Sequence, residues 1–414
     1  MTVLRARYTT SAALTPGNYF LIRSGASCAT HIGRGDFSSP QQLVSAQPVS
    51  VKMRFSNGIA AAATALLSVS VAASSVQIPY EKGPNNTLIG LPPPPGTYVP
   101  IPTFFSTNSS TSKDAAASYP VDIATQTAYS VYLADAGIAG FAVFGSTGEP
   151  IHVSNSERTR ILSAIRKALD AAGHTNYPLI AGVVTQQFEE AIEQLHASKR
   201  AGAQWGVCLV PGYFAIATSQ QGIIDWFTAV ADASPMPILI YDYPVVTNSI
   251  KVEPSTYEVL AAHPNIVGVK LATTDISWHS QISANPNIDY QYFHPYTGLG
   301  QQMLAAVTLG AFGALDVVGT AFPKSMVHLY KLSALEQPTP AQKKEARDLQ
   351  WKVATMAEFY NTYNVVGIKE AVHRVRGFGD RNGVRLPLLN SITDEQWDAY
   401  SDIVNTLIET EDSL

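Results

Sequence analysis

The stretch Asn265-Ile266-Val267-Gly268-Val269-Lys270 is an apolar, largely β-branched run closed by a lysine. Such a run reads as a buried strand. Lysine is almost never buried unless it is paired or chemically employed. An amine at the mouth of an apolar strand carries a desolvation cost that lowers its pKa, and a neutral amine can attack a ketone to form a Schiff base.

Outward from this run, short apolar segments alternate with amphipathic ones. Candidate strands lie near 98–103, 139–144, 178–184, 205–210, 237–241, 265–270, 289–293 and 312–318, with helical segments at 156–172, 188–201, 221–233, 254–262 and 300–309. Eight strand–helix alternations in about 230 residues give the size expected of an α/β protein built as a (β/α)8 TIM barrel. An open doubly wound sheet fits the pattern too, but no G-x-G-x-x-G follows the first strand to support a dinucleotide-binding version. The expected organisation is a leader over 1–95, the barrel over 96–324 and a C-terminal helical extension over 325–414, with helices at 341–363 and 393–410.

The leader is rich in Ser, Thr, Ala and Gly, closes on Leu91-Pro-Pro-Pro-Pro-Gly96, and is expected to be largely disordered. Arg5, Arg7, Arg23 and Arg34 face a single acid, Asp36, over its first part, a bias shared with mitochondrial transit peptides. From Met53 a basic start and the apolar stretch 59–73 imitate a secretory signal, although an internal one should not act unless translation begins there. The sequons at Asn85 and Asn108 fit secretion but are common by chance. An intracellular, cytoplasmic location is favoured, with a mitochondrial one as the alternative.

With 46% hydrophobic and 14% charged residues in 414, the chain can bury a sizeable core. A net charge of −5 without a dense basic block gives no footprint for nucleic acid or an anionic membrane, so the expected partner is a small molecule. Two cysteines, Cys28 and Cys208, supply neither a disulfide framework nor a thiolate metal site. The nine histidines show no ligand spacing, so no metal is expected, and amine chemistry is preferred to Lewis-acid chemistry.

The chemistry-bearing motifs all fall just after candidate strands, where a barrel collects its active-site groups. Gly145-Ser-Thr-Gly-Glu149 follows 139–144, Pro211-Gly-Tyr213 follows 205–210, Tyr241-Asp-Tyr-Pro244 ends 237–241 and Lys270 ends 265–270. Alone, the glycine-rich segment is an ordinary tight turn. In this setting Gly145 and Gly148 let backbone N–H groups approach an anion, and Ser146 and Thr147 add hydroxyl donors suited to a carboxylate. Glu149 reads as structural, near the start of the next helix. Tyr241 alone would be a barrel tyrosine, and Lys270 alone a lysine snorkelling to the rim.

In order and content these segments, from about Gly96 to about Pro323, resemble the dihydrodipicolinate synthase / N-acetylneuraminate lyase family of Schiff-base aldolases and lyases. The resemblance implies that Lys270 forms the Schiff base, that Tyr241 shuttles protons, and that Tyr213 serves as a second relay tyrosine. It implies further that Ser146 and Thr147 hold a 2-oxo acid carboxylate. Asp242 stands where the family's Tyr-Asn-x-Pro motif has Asn. No external cofactor is implied, and a homo-oligomer is, a tetramer built from dimers.

Two departures narrow the substrate. The synthase branch carries an arginine shortly after the tyrosine motif, where this chain has Val245-Val246-Thr247, and the sialic acid branch carries Gly-x-Asp-Glu where this chain has Gly298-Leu-Gly-Gln301. A 4-hydroxy-2-oxoglutarate or 2-keto-3-deoxy sugar acid aldolase remains, releasing pyruvate. Its aldehyde side is expected from Val246, Thr247, Thr273, Thr274 and the loop His294–Gly298. Alternatives are dihydrodipicolinate synthase-like or dehydratase activity on the same Schiff base, a non-catalytic barrel that binds a 2-oxo acid, and a secreted glycosidase using Asp242 and Asp316 as paired carboxylates.

Overall fold

The computed structural model describes residues 76–84, 87–107, 115–388 and 391–414, all within one unit, Ala72–Leu414. Eight parallel strands close a barrel in chain order: β3 (Gly96–Ile101), β4 (Gly140–Val143), β5 (Leu179–Val183), β6 (Trp205–Leu209), β7 (Ile238–Asp242), β8 (Ile266–Leu271), β9 (His294–Thr297) and β10 (Gly313–Leu315). β10 returns to β3, pairing Gly313 with Gly96. Each strand is followed by one helix: α1 (Ile123–Asp135), α2 (Asn155–Ala171), α3 (Phe188–Arg200), α4 (Gln220–Ala233), α5 (Pro254–Ala261), α6 (Ile276–Ser283), α7 (Met303–Thr308) and α8 (Pro323–Ser333).

The strands are apolar on both faces because both are covered. Alternate residues such as Ile180, Val207, Leu239 and Val267 fill the barrel, while Ile238, Ile240, Ile266 and Val269 pack outward with the helices. Helix starts follow local chemistry: Ser154 with Glu157 forms a capping box on α2, and Thr339 with Gln342 forms another on α9 (Pro340–Arg376).

Three expectations are corrected. The seventh strand is His294–Thr297, not 289–293, whose polar and aromatic alternation belongs to a turn in which the Tyr292 and Phe293 N–H groups donate to Asp289 O. The helix at 323–333 is the barrel's eighth rather than the start of the extension, so the barrel runs past 324. Residues 76–95, placed in the leader, are partly structured. β1 (Tyr80–Lys82) and β2 (Leu88–Gly90) form an antiparallel hairpin, and the proline segment that follows lies across the N-terminal end of the barrel.

Polar groups at that floor explain the placement. Trp205 Nε1 donates to Leu91 O at 2.8 Å, Tyr98 OH to Pro94 O at 2.8 Å, and Tyr296 OH to Pro93 O at 2.5 Å. Prolines lack an N–H that would itself need a buried partner, so the segment supplies acceptors without creating unmet donors. The rest of the leader, with Cys28 and the Met53 segment, lies outside the described residues, as do the sequon asparagines Asn85 and Asn108.

Beyond α8, α9 runs from Pro340 to Arg376 and is broken at Asn364 (φ 51°, ψ −143°), where the expected helix 341–363 ends. The expected helix at 393–410 divides into α10 (Asp394–Asp398) and α11 (Ser401–Ser413). No helix among the described residues is long and apolar enough to cross a membrane.

Candidate active site

The register of β7 on β8 places Tyr241 directly beside Lys270, both facing into the barrel near its C-terminal mouth. Lys270 is buried, and its Nζ lies 4.4 Å from the centre of the Tyr241 ring. Burial pushes the amine down to about 8, opposed by the negative charge of Asp316. The loop after β9 leaves room for it. A Cβ on Gly298 would fall 2.7 Å from the Ala272 Cβ and 3.0 Å from Lys270 Cε, so glycine keeps the lysine arm uncrowded.

Burial drives the Tyr241 hydroxyl up to about 12, eased by a hydrogen bond to Ser146 Oγ at 3.2 Å, and the ring stacks on Tyr243. Ser146 belongs to a 3-10 turn, Ser146–Gly148, with Gly145 at its N-terminal cap. The first N–H groups of such a turn have no partner within it and can face an anion. Thr103 Oγ1 donates to Gly148 O at 2.7 Å and ties the turn to the end of β3. The barrel thus brings together Lys270, Tyr241, Ser146 and the Gly145–Gly148 turn, with Gly298 alongside.

Other expected residues lie elsewhere. Tyr213 is 75% exposed and its ring packs on Phe214. The backbone at Gly212 packs so closely on Thr247 that a Cβ there would meet the Thr247 backbone at 2.5 Å. Thr247 is fully buried with its hydroxyl donating to Tyr243 O, so it does not face an open space. His294 is at the floor, stacked on Phe312 and bonded to Pro93 O, rather than in an aldehyde-side loop. Asp242 and Asp316 do not form a pair. Asp242 projects into the helix layer, where it accepts from Tyr257 OH at 2.7 Å, whereas Asp316 accepts from Val318 N–H at the end of β10.

A cavity of about 1150 Å³ opens over the mouth. Ser146, Val184, Leu209 and Val246 line it on the barrel side, and Tyr363, Asn364, Thr393 and Gln396 line it from the C-terminal extension. Lys270 and Tyr241 are not among these lining residues, and Ser146, which is, meets the Tyr241 hydroxyl. Among its described lining residues there is no Lys or Arg. Among the described residues, no three His, Cys, Asp or Glu side chains converge as a metal site.

Sequence reasoning missed the extension's part in the mouth. Lys369 of α9 forms a buried ion pair with Glu149, whose φ of 50° is left-handed, and Glu149 also meets His152 Nδ1 at 3.1 Å. Only a charged pair on an otherwise apolar helix stretch hinted at it, in Ile368-Lys369-Glu370.

A model of the dihydrodipicolinate synthetase family matches residues 120–407. An Emericella nidulans protein named as a probable mitochondrial 4-hydroxy-2-oxoglutarate aldolase is 32% identical over 290 residues, 69% of this chain and 87% of that protein. The chain belongs to the dihydrodipicolinate synthetase family. An Aspergillus niger protein named L-threo-3-deoxy-hexylosonate aldolase is 29% identical over 345 residues, 77% of this chain and 97% of that one. Among solved structures, a family protein from Coccidioides immitis superposes with a TM-score of 0.65 at 23% identity, covering 78% of this chain and 98% of its own. The shared fold is the (β/α)8 barrel, and the chain is an enzyme of the lyase class.

Proposed function

We propose that this enzyme is a class I aldolase that cleaves, and in reverse forms, a C–C bond of a 2-oxo acid through a Schiff base on Lys270, releasing pyruvate. The observation that carries the reading is a strand-end lysine buried against Tyr241, its amine pushed down to about 8. The neutral amine attacks the C2 ketone, and the Tyr241 hydroxyl donates the proton with which water leaves, giving a protonated imine and a phenolate. The Tyr241 phenolate left by that donation, held by Ser146, takes the C4 hydroxyl proton as the C3–C4 bond breaks. The bonding pair moves into the imine to form an enamine, and the aldehyde departs. Protonation at C3 and hydrolysis of the imine then return lysine and pyruvate. Ser146, Thr147 and the turn N–H groups between Gly145 and Gly148 bind the carboxylate.

For the aldehyde side, the C-terminal wall replaces Thr247 and the 294–298 loop. A second carboxylate, as in 4-hydroxy-2-oxoglutarate, would find no Lys or Arg among the described lining residues, whereas Thr362, Asn364, Thr393 and Gln396 suit a neutral hydroxylated tail. This favours a 2-keto-3-deoxy sugar acid, in keeping with the name of the Aspergillus relative. Dehydration on the same Schiff base is the second reading, since the same lysine and tyrosine serve it. A homo-oligomer is part of the proposal, supported by the exposed apolar side chains of Tyr213, Phe214 and Ile216 on one loop. Location is proposed as intracellular, and the name of the Emericella relative lends the mitochondrial alternative support.

The test is to incubate the protein with pyruvate, reduce with borohydride and map the adduct by peptide mass spectrometry. A pyruvate-sized adduct on Lys270 supports the mechanism, and no adduct on folded protein overturns it. Condensing pyruvate with glyceraldehyde and with glyoxylate then separates the two substrate classes by their kcat/KM.

A further inference from the structure

The Gly145–Glu149 turn is held from outside the barrel. Glu149 is almost fully buried in a left-handed conformation that favours glycine, a strained choice for a residue with a long side chain. One carboxylate oxygen accepts from Lys369 Nζ and the other meets His152 Nδ1. Lys369 also donates to Gly383 O at 2.6 Å and lies 4.6 Å from the centre of the Phe105 ring. Arg385 grips the same region, reaching His152 O at 2.5 Å and Glu157, the third helical residue of α2 and partner of Ser154 in its capping box. A buried ion pair is weak as a source of net stability, because desolvating both charges offsets their attraction. Its value lies in fixing geometry.

That geometry leads to the site in two bonds. Glu149 N–H donates to Ser146 O at 3.1 Å, closing the turn, and Ser146 Oγ sits 3.2 Å from Tyr241 OH. We propose that Lys369 is a positioning residue: through Glu149 it sets the turn that receives the 2-oxo acid carboxylate and aligns Ser146 with Tyr241. The C-terminal extension is then a working part of the site. The helix that carries Lys369 also bends at Asn364, one of the residues walling the cavity, so the carboxylate cradle and the tail-side wall are anchored on one element.

The inference rests on the Schiff-base reading, and the two can fail separately. Borohydride trapping on the unsubstituted enzyme tests that reading alone. For the strut, trapping is titrated with pyruvate in Lys369→Met, in Lys369→Arg and in the charge-neutral pair Lys369→Met with Glu149→Gln, each checked by circular dichroism and melting. The neutral pair leaves no uncompensated buried charge. It is expected to stay folded while its half-saturating pyruvate rises about tenfold, more than the trapping rate at saturation falls. Lys369→Arg, which keeps the charge, should recover part of that loss. If the neutral pair does not fold, His152→Leu removes the other arm and should shift half-saturation about threefold in the same direction. Half-saturation within twofold of the parent in either folded variant overturns the proposal.

Discussion

At the floor of the barrel, Tyr98, Trp205, His294 and Tyr296 each bond a carbonyl of the Leu91–Pro94 segment, and nothing there is left to react. At the mouth, Lys270 meets the face of a tyrosine ring instead of an acceptor, and its neighbour Tyr241 reaches only Ser146. Backbone strain divides the same way. Of the six described non-glycine residues with positive φ, Phe144, Glu149, Asn248, Ser249 and Asn364 lie at the mouth, and only Asn176 does not. One end of the barrel satisfies its polar groups, and the other leaves the Lys270 amine against a ring face, which is where a fold can use its stability for chemistry.

The largest effect should come from Lys270→Met. Turnover is expected to fall by roughly 10⁴-fold or more, with no borohydride adduct. The protein should become more stable. The drop of the amine from its ordinary 10.5 to about 8 corresponds to a cost of about 3 kcal/mol for holding the cation buried. Because the folded-state value is the lower one, the unfolded chain binds more protons between about 8 and 10.5, and parent stability rises with pH through that window. The gain from Lys270→Met, read as a difference in denaturation midpoint, should be full below pH 8 and vanish above 10.5. In the parent, the initial trapping rate should rise about tenfold for each pH step of one below 8 and level off above it. A variant that loses both stability and turnover would erase the contrast between the two ends.

Tyr241→Phe should come next. The ring that covers Lys270 remains, so stability should change little, but the hydroxyl that meets Ser146 is gone. A decrease of about 10²–10⁴ in kcat is expected, with pyruvate trapping on Lys270 retained. Loss of trapping together with kcat would move Tyr241 from proton transfer to construction of the lysine pocket.

Trp205→Phe probes the floor. It leaves the Leu91 carbonyl without its indole donor, costing about 1–3 kcal/mol in chemical denaturation, while kcat should stay within about twofold. A comparable loss of kcat would mean that the two ends are coupled.

This contrast also explains what the sequence made legible. Strand runs such as 265–270 and 237–241 announce themselves because both faces are apolar, and the lysine and tyrosine at their ends are readable for the same reason. β9, His294-Pro-Tyr-Thr297, hides because its side chains are polar groups answered by carbonyls some two hundred positions earlier. Of the eight alternations, α1 and α6 are not singled out by pattern, and both lack the strong amphipathic stripe that marks α2 and α3. Lys369 is invisible for a further reason: its partner lies 220 positions away, and no local spacing encodes such a pair. For Tyr213 only the family resemblance implies a relay role, and within this chain its side chain is exposed beside a Gly212 backbone packed on Thr247.

Asp242→Asn should have the smallest effect and is the finest test of the division between inward chemistry and outward packing. The carboxylate is pushed up to about 6 by burial, moderated by the Tyr257 hydroxyl. Because the folded-state value is the higher one, the folded chain binds more protons between the ordinary 3.8 and about 6, and stability falls as pH rises through that window. Asparagine removes the charge and keeps an acceptor for Tyr257, but its amide N–H groups inherit the side of Asp242 Oδ1, which has no partner. The two changes offset each other, so stability at pH 7 should move by no more than about 1 kcal/mol. The fall in stability between pH 4 and 6 should flatten. Since Asp242 faces α5 and Tyr241 the lysine, kcat should stay within about threefold. A larger loss, measured with the pyruvate-trapping rate as control, would mean that the helix layer tunes Tyr241 through the strand backbone, and that the boundary of the site lies outside the barrel wall.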